Sequence, residues 1–177
     1  MDASPALSLE SLFHAHVDDV HRVVGRLLGP GAVAADVEDL VQEVFLAAQR
    51  ALPGFRGEAK VTTWLYGIAS RTVLVHLRKR WRYRRLRDAL GLHIAATPAS
   101  STMPLETRDT LRQVWRCLAR LSPKKRAVYV LCEIEGIAGE EVAAALGLPL
   151  NTVWTRLHHA RRELWRELAA AGLEELP

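Results

Sequence analysis

The 177-residue sequence has only two cysteines, Cys117 and Cys132, and they do not form a CxxC pair. Two cysteines are too few for a disulfide scaffold. No apolar run approaches the roughly 20 residues needed to span a bilayer. The segment Met1–Pro5 lacks the basic residues and apolar stretch of a signal peptide. These absences exclude a disulfide-rich or membrane-inserted class and make a cytoplasmic protein the expectation.

Acidic residues are scarce in the middle of the chain. Residues 61–126 carry 15 basic and 3 acidic side chains, whereas residues 1–60 and 127–177 each have four more acidic than basic ones. A middle segment this basic is typical of a surface that binds a polyanion, because each phosphate contact releases condensed counterions. Charge of this density favours nucleic acid over an ordinary solvated helix face.

The sequence also lacks alternating β patterns and internal repeats, and apolar residues instead recur every three or four positions. This pattern predicts an all-α protein. A first helix of about 20 residues starts near Leu9 and stops at Gly29-Pro30-Gly31. A second is capped by Asp36, with Asp39 in a capping-box position. The third starts at Trp64 and runs to Arg87.

Residues 88–105 read as a linker, because they contain two prolines and no apolar period. Helical periodicity then resumes, and Ser122-Pro123 predicts a new helix start. That helix ends at Gly136, and two shorter helices joined at Gly147-Leu148-Pro149 follow. The sequence therefore predicts two small helical domains joined by a flexible linker.

The last two helices have helix-turn-helix form, with a small residue, Ala143, at the crossing and Gly147 where the turn needs a left-handed backbone. The predicted inward stripe of the second is Val153, Leu157, Ala160 and Leu164. Polar groups near a helix N-terminus are placed to read base edges. The outward stripe is Asn151, Thr155, His158, His159 and Arg162, flanked by Thr152 and Trp154. An ordinary helical hairpin is the alternative.

Two further surfaces stand out. The outer face of the second helix sets Leu46 among acidic and amide groups, namely Asp39, Gln42, Glu43 and Gln49, which favours a protein-binding face over a merely solvated one. The third helix combines aromatic residues with a basic run, which suits unwound nucleic acid. Trp64 is equally well interpreted as a core residue.

These motifs occur in one register along the chain and resemble the bacterial extracytoplasmic-function (ECF) sigma factors of the sigma-70 family. Region 2 of that family resembles Asp36–Phe45, Phe55–Glu58 and Thr63–Ala69, and region 4 resembles Leu121–Pro123, Tyr129–Gly136 and Asn151–Arg161. The resemblance implies region 2 over 8–87, for core polymerase binding and for recognition and melting of the −10 element. It implies a linker over 88–105 and region 4 over 106–170, for −35 recognition.

The resemblance also implies roles for individual residues. The clamp coiled coil of the RNA polymerase largest subunit would dock on Asp39, Gln42, Glu43 and Leu46. The −10 element would meet Phe55, Arg56, Gly57, Trp64, Arg71, Arg78, Arg80 and Arg84. The −35 element would meet Asn151, Thr152, Trp154, Thr155, Arg156, His158, His159 and Arg162. Core polymerase, including its flap, promoter DNA and an anti-sigma factor are the implied partners.

Three positions depart from the family pattern. Arg71 stands where the family often has asparagine, Trp154 where it often has a basic residue, and His159 where it often has arginine. The last two changes reduce positive charge on the DNA-facing side. Trp154 is interpreted either as a contact to a thymine methyl or sugar, or as packing against a neighbouring helix.

Two other classes of function are alternatives to this interpretation. A one-component helix-turn-helix regulator would explain the C-terminal motif but not the second helix or the aromatic-basic helix. Among the seven histidines, His14, His16 and His21 lie close in sequence, but no carboxylate or cysteine completes a ligand set. No nucleophile–base pair or glycine-rich phosphate loop is visible. The expectation is a protein that is not an enzyme and that holds neither metal nor cofactor.

Overall fold

The computed structural model describes residues 8–30, 32–90 and 105–173, and within these stretches it contains helices and no strand. The all-α prediction is confirmed. The helices are α1 (Leu9–Leu28), α2 (Ala34–Ala51), a 3₁₀ turn (Leu52–Gly54), α3 (Val61–Ala89), α4 (Leu105–Arg120), α5 (Pro123–Tyr129), a π-helical turn (Val130–Ile134), α6 (Gly139–Leu146) and α7 (Leu150–Ala170). Most of the predicted linker, residues 91–104, lies outside the described residues.

The predicted cap of α2 is wrong. The helix begins at Ala34, with Val33 at the N-cap and no side-chain hydrogen bond to the helix end. Asp36 instead lies in the first turn, where a carboxylate is favoured by the partial positive charge of the helix N-terminus. Its Oδ2 also lies 3.3 Å from Nη1 of Arg80.

The predicted start of α3 and the predicted length of α7 also need correction. The Trp64 amide donates to the Lys60 carbonyl oxygen at 3.0 Å, so the first turn of α3 forms before Trp64 and the helix begins at Val61. Helix α7 has 21 residues and is not short. Its apolar stripe continues through Leu164, which packs against α4 residues Cys117 and Leu118.

The first three helices pack against one another around an apolar core. Each contributes an inward stripe of fully buried side chains, including Val23, Val24, Leu40, Val44, Leu65 and Val73. The last four helices form a second group, in which α7 packs on α4, α5 and α6. Gly147 adopts φ 64° and ψ 43° at the C-terminus of α6, so the predicted left-handed turn is confirmed.

The two helix groups are in direct contact. Their buried apolar residues form one cluster that runs from α1, α2 and α3 into α5, α6 and the start of α7. The principal contact between the groups is that of α3 with α6. The sequence predicts two domains and a linker, but it does not predict this contact. No helix in the described stretches is long and apolar enough to cross a membrane.

Candidate functional site

The outer side of α2 presents three polar side chains and one apolar side chain that point away from the core. Asp39, Gln42, Glu43 and Leu46 are all exposed, and together they are called the α2 face; Leu46 is 54% exposed. None of the four makes a side-chain hydrogen bond or ion pair within the described part of the chain. A shallow cavity of about 430 Å³ adjoins Leu46 and Glu43 and is lined on the α3 side by Arg71, Thr72 and Val75. This face is free to receive another protein.

The loop between α2 and α3 brings an aromatic pair together. The ring centroids of Phe55 and Trp64 are 4.9 Å apart, and the rings are tilted by 41°. Trp64 is half-buried and packs against the core, as its interpretation as a core residue predicts, and its contact with nucleic acid stays a prediction. Arg56 and Gly57 beside this pair are exposed, and Gly57 takes φ 73° at the turn. The loop therefore offers aromatic surface, a cation and an open backbone at one place.

The first part of α3 is covered by α6 through three residues spaced four apart, Thr63, Gly67 and Arg71; this is called the α3–α6 contact. The Thr63 hydroxyl donates to Oε2 of Glu141 at 3.2 Å. Gly67 lies so close to the Ala145 carbonyl oxygen that a Cβ there would overlap it. The side chain at position 67 must be hydrogen for the helices to approach this closely.

Arg71 completes the α3–α6 contact. Its Nη1 donates to the Ala145 carbonyl oxygen at 2.6 Å. That carbonyl belongs to the last turn of α6, where intrahelical donors run out and a cation is favoured by the partial negative charge of the helix end. Burial lowers the pKa of the Arg71 guanidinium. The residue implied to read the −10 element is thus engaged by the second helix group.

A second polar contact joins the two helix groups, between α1 and the segment that follows the π-helical turn. Arg26 of α1 forms an ion pair with Glu135, which follows the π-helical turn. The Glu135 side chain is only 7% exposed. Burial is the main cause that raises the pKa of the nearby Tyr66 hydroxyl, and the Glu135 charge adds to it. The ion pair neutralises a carboxylate that would otherwise be buried alone.

The second part of α3 extends beyond the core and carries the basic run. Arg78, Arg80 and Arg84 are exposed, and Trp81 is exposed with the Arg85 guanidinium carbon 4.9 Å from its ring centroid. Such a cation over an indole face is attracted by the ring quadrupole. The helix therefore presents cations and an aromatic ring along one solvated segment.

Helix α7 keeps its predicted division into two sides. Val153, Leu157, Ala160 and Leu164 are buried, as the 100° periodicity predicts. The opposite stripe is exposed and is called the α7 face; it comprises Asn151, Thr155, His158, His159 and Arg162. Thr152 and Arg156 are half-buried beside it. The Thr155 hydroxyl donates to the Asn151 carbonyl at 2.7 Å, which leaves its oxygen as an acceptor for a partner.

Trp154 is in contact with the first residue of α6. Its indole ring lies against Gly139, where a Cβ would overlap the ring atoms, although the side chain is still 44% exposed. Of the two interpretations of Trp154, packing against a neighbouring helix is the one observed. The ring has a packing role that a basic residue at this position would not fill.

Sequence reasoning missed the α3–α6 contact altogether. The available signal was Gly67 in the interior of a long helix, because an interior glycine costs about 1 kcal/mol relative to alanine and therefore indicates a close approach. Sequence periodicity could not have identified Ala145 as the partner. The described residues contain no group of three or more His, Cys, Asp or Glu side chains that could hold a metal ion.

Comparison with known proteins places this geometry in context. The family description Sigma-70 region 2 matches residues 12–83, and Sigma-70, region 4 matches residues 111–164. The ECF RNA polymerase sigma factor SigE of Mycolicibacterium smegmatis is 33% identical over 176 residues, 98% of this chain and 66% of the relative. The ECF RNA polymerase sigma-E factor of Escherichia coli K12 is 33% identical over 149 residues, 80% of this chain and 78% of the relative.

Two solved structures resemble the fold. The sigma factor RpoE bound to the anti-sigma factor NepR from Bartonella quintana has a TM-score of 0.69 and 22% identity, and the match covers 90% of this chain and 96% of that one. CnrH in complex with the cytosolic domain of CnrY has a TM-score of 0.62 and 27% identity, with 92% and 88% covered. The first is similar in fold alone, whereas the second is also similar in sequence.

Proposed function

Because this chain belongs to the ECF sigma factors of the sigma-70 family, we propose that the surfaces described above divide the work of promoter-specific transcription initiation among themselves. As in the family, the protein is not an enzyme; it acts by binding RNA polymerase and DNA. The α2 face binds core polymerase, the Phe55–Trp64 loop and α3 meet the −10 element, and the α7 face meets the −35 element. The protein acts where the polymerase is, in the cytoplasm.

Core binding is assigned to the α2 face. The single observation that supports it best is Leu46, a large apolar side chain that is more than half exposed on the same helix face as the carboxylates of Asp39 and Glu43, which form no ion pair among the described residues. Interfaces bury an apolar centre inside a polar rim, and this face has that composition. Its acidic groups favour a basic partner surface, as expected for a docking helix on the clamp coiled coil.

Contact with the −10 element is assigned to the loop and to α3. A base that has left the stack can lie on the Phe55–Trp64 pair, because aromatic rings bind unstacked bases with little dependence on sequence. Arg56 and the open backbone at Gly57 lie beside it. Arg78, Arg80 and Arg84 then hold the phosphates of the separated strands, which positions the DNA without reading it. Arg71 reads the upstream edge of the element.

Contact with the −35 element is assigned to the α7 face. Asn151, Thr152 and Thr155 lie in its first turns, and His158, His159 and Arg162 continue it. Polar residues at the N-terminal end of a recognition helix reach base edges in the major groove, while cations further along meet phosphates. Arg156 and Trp154 lie at its sides. An anti-sigma factor is a further partner, since both solved relatives are bound to proteins and one of these is named as an anti-sigma factor.

The core-binding assignment is tested by replacing Asp39, Gln42 and Leu46 with alanine together. We expect the variant to lose co-purification with core polymerase and to keep its helical circular dichroism. The matched control replaces Glu10, His14 and Asp18, three exposed residues that lie four apart on one face of α1. Equal binding by both triple variants would move the docking surface elsewhere.

The DNA assignments are tested by run-off transcription across a small promoter library at two salt concentrations. Arg78→Gln with Arg84→Gln should lower transcription similarly from all promoters, more so at high salt, because phosphate contacts are screened. Arg71→Ala should instead change the ranking of −10 variants. The reverse pattern would interchange the two roles.

One alternative follows from the open α7 face. A helix-turn-helix regulator that acts alone would use this face on duplex DNA without polymerase. We expect region 4 alone to bind duplex DNA only weakly, with an affinity that falls less steeply with salt than that of a strongly basic reader, because residues 127–177 have more acidic than basic side chains. Nanomolar, sequence-specific binding at physiological salt would favour the alternative.

A further inference from the structure

We propose that the cavity between the two helix groups, formed by the end of α1 and the middle of α3 on one side and the α4–α5 corner on the other, binds a small anion with an apolar body. The cavity has a volume of about 660 Å³. This lies within the usual range for small-molecule sites. It is separate from the α2 face, the α7 face and the α3–α6 contact, but three of its cations, Arg78, Arg80 and Arg84, are also assigned above to DNA phosphates.

The charge of the cavity is of one sign. Five of its lining side chains are cationic and none is acidic; the cations are Arg78, Arg80, Arg84, Lys124 and Arg126. Arg80 is partly neutralised by Asp36. Within the described residues, no carboxylate pairs with Arg78, Arg84 or Lys124. Cations from two helix groups thus converge on one space, and within the described residues only Arg80 among them has a carboxylate partner, so an anion is the complementary occupant.

Arg126 gives an independent indication of a ligand. Its side chain is charged yet only 5% exposed, and it lines the cavity. Nη1 donates to the Ala119 carbonyl oxygen at 3.1 Å, but Nε has no hydrogen-bond partner among the described residues. A buried charge with one backbone acceptor is costly unless an anion or further acceptors compensate it. Burial also lowers the pKa of this guanidinium.

The rest of the lining defines the body of the ligand. Leu74, Leu77 and Leu121 supply aliphatic surface, and the exposed Trp81 ring stands at the same cavity. A bare phosphate would leave this apolar surface wet, and a neutral hydrocarbon would leave Arg126 unpaired. The occupant is therefore an amphipathic small molecule, with a phosphate, sulfonate or carboxylate head and an aliphatic or aromatic body. DNA lying across Arg78 and Arg84 would not satisfy the buried Arg126.

The test uses the full-length chain and a pair of fluorescent probes at 0.15 M salt. Anilinonaphthalene sulfonate has an anionic head on an aromatic body, and N-phenylnaphthylamine has the same body without the charge. We expect saturable binding of one sulfonate probe per chain, at least about tenfold tighter than the neutral probe, since a charge-assisted hydrogen bond in a partly dry site favours the anion. Equal affinity for the two probes would show general apolar binding only and would overturn the proposal.

Exposed variants place the probe in the cavity. Lys124→Gln and Arg84→Gln should each weaken sulfonate binding about threefold and leave the neutral probe unchanged, as expected for solvent-exposed cations. The matched control is Arg82→Gln, which removes an exposed charge from the same helix outside the cavity. A control that weakens binding as much as Arg84→Gln would indicate a diffuse electrostatic effect and would contradict the site.

Arg126→Met removes the buried cation while keeping its aliphatic volume. We expect it to abolish the preference for the sulfonate over the neutral probe, in a protein whose circular dichroism and thermal melt show that it is folded. If Arg126→Met fails to fold, the exposed variants still decide the question. If a single-stranded oligonucleotide is bound through Lys124 and Arg84 but the sulfonate probe is not, the cavity belongs to the DNA path and the proposal is wrong.

Discussion

The α7 face and the first part of α3, both proposed to meet promoter DNA, differ in how far other helices of the chain cover them. The α7 face is open: its side chains are exposed and its helix is fixed from behind by four buried apolar residues. The first part of α3 is covered by α6, and its Arg71 is hydrogen-bonded to the Ala145 carbonyl oxygen. Reading a base with Nη1 would require Arg71 to give up this bond. In this arrangement the proposed −35 and core-binding surfaces are open, whereas Nη1 of Arg71, in the proposed upstream part of the −10 surface, is engaged by α6.

The comparison shows that a surface side chain is free for a partner only if no unpaired backbone group of a neighbouring helix binds it first. Helix α7 needs nothing from its outer stripe. Helix α6, in contrast, ends in carbonyl groups that lack intrahelical donors; Nη1 of Arg71 donates to the Ala145 carbonyl oxygen, and the missing side chain of Gly67 allows the helices to approach closely enough for this. The α3–α6 contact and −10 recognition by Arg71 therefore compete, and substitutions at the contact between the groups should shift the balance.

The largest effect is expected from Arg26→Met, which breaks the ion pair between the groups. It leaves the Glu135 carboxylate, 7% exposed, without its partner. Removing one member of a buried pair costs about 3–5 kcal/mol in the free energy of unfolding. Urea unfolding measures the loss, and small-angle scattering should show a larger radius of gyration.

The matched control is Arg22→Met, which removes a more exposed cation that pairs with Asp19 on the same helix. A surface pair is worth at most about 1 kcal/mol. Equal losses in the two variants would mean that the Arg26–Glu135 pair is no more important than a surface pair and does not hold the groups together.

The next largest effect is expected from comparing two glycines inside helices. Gly67→Ala places a Cβ against the Ala145 carbonyl oxygen, whereas Gly25→Ala in α1 meets nothing within 4 Å. We expect Gly67→Ala to destabilise the protein by about 2 kcal/mol, because backbone must move. Gly25→Ala should stabilise it by about 0.5–1 kcal/mol through helix propensity. Thermal unfolding of both variants gives the signs, and Gly67→Ala alone should increase the radius of gyration.

A smaller effect is expected from Thr63→Val, which keeps the shape of the side chain and removes its hydrogen bond to Glu141. The loss is about 1 kcal/mol, the typical net value of a neutral donor to a partly exposed acceptor. The measurement is again urea unfolding, with Thr62→Val, the half-buried neighbour, as control. A stabilised Thr63→Val variant would show that this hydrogen bond does not contribute to the contact.

The smallest effect concerns the alkylation rate of the Cys132 thiol, which we expect Gly67→Ala to leave unchanged. Burial raises the pKa of the Cys132 thiol to about 11, and the charged groups that act on it, Glu133, Arg161 and Glu140, all belong to the second helix group. Only the thiolate reacts, so alkylation should be slow at pH 8 and should rise towards pH 11. The rate should be the same in wild type and Gly67→Ala. A faster rate in the variant would mean that the burial of Cys132 depends on the contact between the two groups.

The raised pKa of the Cys132 thiol also predicts how the stability of the folded protein changes with pH. The folded protein retains the Cys132 proton to higher pH than the unfolded chain does, so the folded state binds more protons between about pH 9 and 11. Stability should therefore be complete below pH 9 and fall as the pH rises through this window. Cys132→Ser should reduce that decline, which is measured by urea unfolding at pH 8 and pH 10.

Much of this molecule could be predicted from local periodicity. The buried stripe of α7 and the left-handed turn at Gly147 follow from spacing and backbone preference alone, and both are confirmed. The starts of α2 and α3 were missed because Val33 and Lys60 offer no capping side chain, and packing rather than a cap sets those ends. The α3–α6 contact was missed because it joins residues about 75 positions apart, and no local pattern specifies such a pair.

The contact of Trp154 with Gly139 limits how these two positions can vary. Any side chain at position 139 would overlap the indole ring as it now lies, so substitution there alone would require the ring to turn away or α6 and α7 to move apart. A smaller residue at position 154 would remove the ring and make space for a Cβ at position 139. In related sequences the two sites should therefore exchange as a pair, with bulk on one helix or the other. A sequence that combines a basic residue at 154 with alanine at 139 would retain the helix-turn-helix with its bulk redistributed.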